Sequence, residues 1–134
     1  MKVFVDSNIP MYVAGTDHPH RAPARRFFER MRRGDLDACT STEVLQEILY
    51  RYCALSRRDL ARQIYDLFVE ICPEVLDVTL ADTDRARDLL GEVEPISVRD
   101  AVHAGIMLNH GIEWIASFDR GFDHVPGIRR LELN

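Results

Sequence analysis

Short strand-like runs alternate with longer helix-like runs along the whole chain, and this alternation constrains the fold more than any other feature. Short, largely apolar runs predict five strands, at 2–5, 37–40, 75–78, 114–117 and 129–133. Apolar residues at helical spacing predict helices at 20–33, 42–55, 57–72, 81–92 and 98–110, and residues 9–14 favour one further helical turn. The alternation is typical of an α/β fold with three layers (α/β/α), in which helices cover both faces of a mostly parallel sheet. The 134 residues contain no Pro- or Gly-rich linker and fit one domain.

Four isolated carboxylates are the candidate catalytic residues. Asp6 ends the first predicted strand in "VFVDSN", and Asp119 closely follows the fourth in "ASFDRGFD". Both therefore fall beyond the carboxyl ends of strands, where open α/β sheets bind their ligands. Glu47 lies on the second turn of the helix in "TSTEVLQEILYRY", and Asp100 lies in the first turn of the largely apolar helix in "SVRDAVHAGIML".

Three of these acids also have an ordinary structural interpretation. Asp6 fits a cap or turn before a short helix, and Asp119 before Arg-Gly fits a turn. Ser97 fits the cap of the last helix, with Asp100 placed favourably near the positive end of the helix dipole. His103, three residues further on, is more typical of a packed or hydrogen-bonded core histidine than of a metal ligand.

The fourth acid, Glu47, shares its helix with another glutamate that has a predicted structural role. Thr40 and Glu43 have the spacing of a capping box at the start of this helix. Glu47 is too far along the helix to join the cap. Glu47 therefore belongs either to a functional site or to a solvent-exposed ion pair with Arg51. Such a pair stabilises a helix by only about 0.2–0.5 kcal/mol.

Four carboxylates in one place would need a countercharge. Two such charges about 4 Å apart repel each other by roughly 4 kcal/mol at an effective dielectric constant of about 20. Lys2 is the only lysine in the chain and lies outside these motifs. A hard divalent cation, Mg²⁺ or Mn²⁺, prefers oxygen ligands and would remove the conflict. Such an ion activates water for attack on a phosphodiester, so the cluster predicts metal-dependent phosphoryl hydrolysis.

Four motifs in this order resemble the PIN-domain ribonucleases, most closely the VapC-type toxins of toxin–antitoxin pairs: "VFVDSN", "TEVLQEILYRY", "RDAVHAG" and "SFDRGFDHVPGI". The resemblance covers essentially the whole chain and implies a single PIN domain over residues 1–134. It implies a parallel five-stranded sheet of order 3-2-1-4-5. It also implies a homodimer, inhibition by a small cognate antitoxin protein, and endoribonuclease activity on structured RNA such as tRNA or rRNA.

The resemblance also implies a role for each matching residue. The acidic catalytic site would comprise Asp6, Glu47, Asp100 and Asp119, and the Mg²⁺ or Mn²⁺ ligands would be Asp6, Asp100 and Asp119. Asn8 and Ser117 would give polar support, and Asp123 would assist through water. Ser117 stands where a threonine is often found, which keeps the hydroxyl group.

An RNA substrate must be reconciled with a net charge of −5. Arg99 and Arg120 flank the predicted site, where they would meet the scissile phosphate, and arginine donates paired hydrogen bonds to phosphate. The helix at 20–33 carries six further arginines, which form either a second RNA contact or merely a solvated basic face.

Other classes of protein fit less well. A phosphatase with an aspartyl nucleophile, or a phospho-accepting receiver domain, needs a lysine near the phosphate, and the phosphatase needs a second Asp where Asn8 stands. A non-catalytic PIN-fold interaction module would usually have lost one of the four acids. Cys39, Cys53 and Cys72 form no CxxC pair and predict buried free thiols in a reducing cytoplasm. The longest apolar run, "AGIML", is far too short for a membrane span.

Overall fold

A five-stranded sheet organises the chain in the computed structural model, which describes all 134 residues. Every pair of neighbouring strands is parallel, and the strand order is 3-2-1-4-5. The strands are β1 (Lys2–Val5), β2 (Asp37–Ser41), β3 (Glu74–Leu76), β4 (Trp114–Ala116) and β5 (Arg129–Arg130). The predicted α/β class and the strand order implied by the resemblance are both confirmed.

Six α-helices connect the strands, each within one residue of its predicted bounds. They are α1 (Asn8–Ala14), α2 (Arg21–Arg32), α3 (Thr42–Ala54), α4 (Arg58–Ile71), α5 (Leu80–Glu92) and α6 (Val98–Asn109). A 3₁₀ helix at Arg120–His124 was not predicted, because the Arg-Gly pair there indicates a simple turn. The last strand is shorter than predicted, since only its first two residues pair with β4.

The central strand shows that both faces of the sheet are covered. Val3, Phe4 and Val5 point alternately to opposite faces, and all three are completely buried. Helix α1 packs against α2 and α4, and α3 packs against α4, whereas α5 and α6 pack against each other. The two groups of helices match the layers expected on the two faces of the sheet.

The cap of α3 differs from the prediction. Thr40 does not cap the helix, because its hydroxyl group donates to the backbone carbonyl of Val5 at 2.9 Å and so ties β2 to β1. Ser41 is the N-cap instead, and its hydroxyl oxygen accepts from the backbone N–H of Val44 at 3.3 Å. The predicted Thr40–Glu43 capping box is therefore wrong by one residue, although α3 begins where expected.

Helix α6 is held in place by close packing on α5. A Cβ atom added to Gly105 would lie 2.8 Å from the backbone carbonyl oxygen of Asp82, so only glycine allows this approach. Asp82 belongs to a capping box with Thr79 at the start of α5, and it also accepts a hydrogen bond of 2.9 Å from Asn109. At the other end of α6, Ser97 caps the helix as predicted by accepting from the backbone of Asp100.

The cysteines are unpaired, as predicted, but they are not all buried. Cys39 and Cys72 are buried, whereas Cys53 is exposed near the end of α3. Burial raises the pKa of Cys39 to about 12 and that of Cys72 to about 11, so both remain neutral thiols. No helix combines the length and the apolar character needed to cross a membrane.

Candidate active site

Asp6 is fixed at the end of β1 by hydrogen bonds from its neighbours. The Ser117 hydroxyl, just beyond β4, donates to Asp6 Oδ2 at 2.7 Å, and the backbone N–H of Ser7 donates to Oδ1 at 2.7 Å. Asn8 Nδ2 donates to Ser117 Oγ at 3.1 Å and lies 3.4 Å from Asp6 Oδ2. Ser117 Oγ also accepts from the backbone N–H of Asp119 at 3.0 Å. Asn8 and Ser117 thus both contact the Asp6 carboxylate.

Glu47 is buried and pairs with His103 rather than with Arg51. Its Oε1 lies 2.7 Å from Nε2 of His103, and its Oε2 accepts from the Ser7 hydroxyl at 2.7 Å. His103 Nε2 also lies 3.7 Å from Asp6 Oδ1. These contacts bring Asp6, Glu47 and His103 into one buried cluster whose ligand atoms lie within 4.8 Å of one another.

Asp100 and Asp119 form the more open half of the site. Their carboxyl groups hydrogen-bond to each other, from the first turn of α6 and the start of the 3₁₀ helix. Asp119 Oδ1 accepts from the backbone N–H of Gly121 at 2.8 Å. A Cβ atom added to Gly121 would lie 3.1 Å from Asp119 Oδ1 and 3.2 Å from Asp100 Oδ2. The absence of a side chain at this glycine leaves both oxygens accessible.

The structure brings all four predicted acids to one cavity. A cleft of about 960 Å³ is lined by these acids and by Arg99, on the side of the sheet where the strands end. We name Asp6, Glu47, Asp100 and Asp119 together the acid cluster. Arg120 does not line this cleft. It borders a second, smaller cavity of about 430 Å³, which Ser117 and Asp123 also line.

Asp123 and the arginines of α2 both lie outside the cleft. Asp123 is held by Arg130 in a two-pronged ion pair, with distances of 2.7 and 2.9 Å, and does not line the cleft. The arginines of α2 line neither cavity; Arg26 donates to the backbone of Asn134, and Arg32 lies 4.0 Å from Glu29. The solvated basic face is therefore the better interpretation of α2.

Burial and neighbouring charges shift the pKa values of the acids in the cluster. Burial raises the pKa of Asp100 to about 7, and the neighbouring carboxylates of Asp119 and Asp6 add to this rise. The hydrogen bond from Asp100 lowers the pKa of Asp119. Burial also raises the pKa of Asp6, against the opposing effects of His103 and Ser117.

His103 is a buried, hydrogen-bonded histidine, as predicted, but its partner Glu47 was not predicted. Burial favours its neutral form, but the contact with Glu47 and the charge of Asp6 outweigh burial and raise its pKa. The same contact lowers the pKa of Glu47 against the effect of burial. A buried ion pair is the result, and it supplies part of the countercharge that the sequence did not reveal. Asp100 and His103 lie three residues apart and so on one face of α6, but this spacing gives no sign of the contact with Glu47.

The donor set fits a hard divalent cation. Asp6, Asp100 and Asp119 supply carboxylate oxygens that border the cleft, and oxygen ligands suit Mg²⁺ and Mn²⁺. Glu47 is less available as a ligand, since both of its oxygens lie within 2.7 Å of His103 or Ser7. Glu47 and His103 therefore form a buried pair beside the other three carboxylates.

The fold and this acid-rich cleft together define an α/β domain with a carboxylate-lined site at the strand ends, and comparison with known families identifies the family. The model of the family described as "PIN domain" matches residues 3–128. This chain belongs to the PIN-domain family.

Individual relatives within that family narrow the comparison to the VapC-type proteins. Ribonuclease VapC13 of Mycobacterium tuberculosis is 44% identical over 129 residues, which cover 96% of this chain and 98% of the relative. A Rickettsia felis VapBC2 structure, solved with a promoter DNA fragment, superposes with a TM-score of 0.78 at 17% identity and full coverage of both chains. The Mycobacterium tuberculosis toxin VapC20, described as cleaving the sarcin–ricin loop, gives a TM-score of 0.73 at 19% identity, covering 88% of this chain and 90% of that one. The recognised resemblance to VapC-type proteins is thus confirmed.

Proposed function

We propose that this protein is a divalent-metal-dependent endoribonuclease, the toxin of a type II toxin–antitoxin pair, which hydrolyses phosphodiester bonds in structured RNA such as tRNA or rRNA. The observation that carries the proposal is the convergence of Asp6, Glu47, Asp100 and Asp119 on one cleft, from four separate parts of the chain. Relatives named as VapC ribonucleases support the same activity.

In this proposal Asp6, Asp100 and Asp119 hold Mg²⁺ or Mn²⁺. The ion, when bound, activates a water molecule and stabilises the leaving oxygen. Ser117 aligns two of the ligands, because its hydroxyl group bonds to the Asp6 side chain and to the Asp119 backbone. Arg99, in the first turn of α6, lines the cleft and would bind the scissile phosphate.

The partners follow from the family. We infer that a small antitoxin inhibits this protein and that the protein forms a homodimer; solved neighbours that are VapBC complexes support the antitoxin. The cytoplasm is the proposed location, and the three unpaired cysteines suit its reducing conditions.

Metal removal tests the proposed activity. Purified protein, free of antitoxin, is incubated with total bacterial RNA in Mg²⁺, in Mn²⁺ and in excess EDTA, and the cut ends are mapped. We expect defined cuts with either metal and none in EDTA, with activity restored when Mg²⁺ is added back. Cleavage that persists in EDTA would contradict the metal site, and intact RNA in every condition would favour a non-catalytic interaction module.

Gly121→Ala is expected to weaken Mg²⁺ binding by about 10- to 100-fold, the range for changes that disturb the shell around a metal. The added methyl group would lie 3.1 and 3.2 Å from oxygens of Asp119 and Asp100 and would crowd the ion. Titration calorimetry measures the loss. Gly91→Ala is the matched control, because nothing lies within 4 Å of a Cβ there. Equal Mg²⁺ affinity in both variants would contradict this placement of the ion.

Mg²⁺ binding is expected to release a proton, and the number released should fall as pH rises. Asp100 has a pKa of about 7, so near pH 6 it holds a proton that the ion must displace. Above about pH 8 the carboxylate is already ionised and release should approach zero. Calorimetry in two buffers of different ionisation enthalpy gives the number directly. Release that does not change between about pH 6 and 8 would contradict the raised pKa of Asp100.

A further inference from the structure

Four aromatic side chains gather at the surface beside the acid cluster. We call Tyr12, His18, His20 and Phe118 the ring cluster; they come from α1, from the segment between α1 and α2, and from the segment after β4. His20 stacks on Phe118 with centroids 4.1 Å apart and ring planes 14° apart. Tyr12 contacts the other three rings at 4.7 to 5.3 Å. None of the four rings is buried, although aromatic rings normally account for much of a core.

The ring cluster is joined directly to the acid cluster. Phe118 lies between Ser117 and Asp119, and its backbone N–H contacts Asn8 Oδ1 at 3.4 Å. Tyr12 and His18 line the cleft that holds the acids. His20 and Phe118 line the smaller cavity of about 430 Å³. The rings therefore form the boundary between the catalytic cleft and its neighbour.

The smaller cavity also has a cation available for phosphate. Its two arginines differ, because Arg130 is engaged by Asp123 whereas no ion pair involves Arg120. Arg120 directly follows Asp119 in the chain, so it lies next to the open half of the acid cluster. The cavity volume lies within the usual range of about 300–1,000 Å³ for small-ligand sites. Together with the stacked ring pair and the free arginine, it forms a pocket suited to one nucleotide.

We propose that the smaller cavity is a stacking subsite, in which one unpaired base of the RNA substrate packs against His20 and Phe118 while Arg120 binds the adjoining phosphate. The subsite rests on the proposed ribonuclease function and specifies how it selects RNA. Proteins read unpaired RNA bases by stacking them on aromatic rings, and histidine and phenylalanine both serve. An RNA strand that crosses the acid cluster would deliver the base next to the scissile bond into this cavity.

Binding of two matched strands tests the subsite. One is a fluorescently labelled 2′-O-methyl uridine decamer, and the other is an abasic decamer with the same number of phosphates. Fluorescence anisotropy in Mg²⁺ gives both affinities. Wild-type protein should prefer the uridine strand by about 5- to 150-fold, the range that corresponds to stacking one base.

Removing either ring should abolish the preference but leave abasic binding unchanged. His20→Leu and Phe118→Leu remove one ring each, and Phe118→Tyr, which keeps the ring, should retain the preference. Tyr65→Leu is the matched control, because Tyr65 packs against the core and lines neither cavity. His20 comes from a different segment than Asp119, so its replacement separates stacking from distortion of the acids.

Each outcome has a distinct meaning. Leucine variants that keep the wild-type preference, or wild-type protein that binds both decamers equally, would overturn the subsite. Leucine variants that keep the preference but lose a protein partner would assign the rings to a protein interface and overturn it as well. Wild-type protein that binds neither decamer and leaves total RNA intact would instead refute the proposed ribonuclease function.

Discussion

Replacing Asp100 with Asn is expected to lower RNA cleavage by at least about 10²–10³-fold, the loss typical when one preorganised electrostatic group is removed from an active site. The amide is nearly isosteric but carries no charge, so it weakens the ion's attraction to the site. Burial also raises the pKa of Asp100 to about 7, so a charge at this position is hard to hold without a cation. The initial rate on the mapped RNA target, at saturating Mg²⁺, measures the effect.

The fold should survive this change. The uncharged amide would no longer repel Asp119 and Asp6, so we expect the thermal midpoint to stay the same or to rise slightly. Asp6→Asn should lose cleavage to a similar extent, since Asp6 is the other buried ligand candidate. Asp66→Asn, an exposed change on α4, is the matched control and should leave the rate unaltered. An Asp100→Asn protein that cuts at the wild-type rate would show that the metal ligands are misassigned.

Local patterns were sufficient for most of the fold. The lengths of the β-like and α-like runs were enough to predict the class, and the helix bounds to within one residue. The strand order came from the family resemblance, since nothing local records which strands become neighbours. The α3 cap was missed for a related reason. The Thr40 hydroxyl is taken by Val5 of another strand, and such a contact leaves no trace in the spacing of Thr40 and Glu43.

The candidate site likewise has residues that the sequence predicted and residues that it did not. The four acids stand out in the sequence because they follow strands or interrupt apolar helices. The partner of Glu47 does not stand out, because His103 lies far away in the chain within an apolar helix and looks like an ordinary core residue. The ring cluster was equally hidden, since Tyr12, His18, His20 and Phe118 belong to three separate segments. Only the folded sheet, whose strands end at a common edge, brings them together.

Replacing His103 with Leu is expected to lower the free energy of unfolding by about 3–5 kcal/mol near pH 6, the usual result when one partner of a buried ion pair is removed. Glu47 would be left buried at this position without its partner at 2.7 Å, and Asp6 would lose the nearby positive charge. Urea denaturation measures the change, provided that the slope with denaturant stays constant. His124→Leu, at an exposed histidine, is the control and should have little effect.

The pH dependence and a double variant separate charge from packing. The pKa of His103 is raised, so its stabilising contribution is complete below its unfolded value of 6.5 and is lost as pH rises through the folded value. The pKa of Glu47 is lowered, so its contribution is complete above 4.5 and is lost as pH falls. The deficit of His103→Leu should therefore be largest between these two values. His103→Leu combined with Glu47→Met should recover most of the stability, because an apolar pair has no buried charge to compensate. A double variant as unstable as the single one would mean that imidazole packing, rather than the ion pair, holds α3 and α6 together at the site.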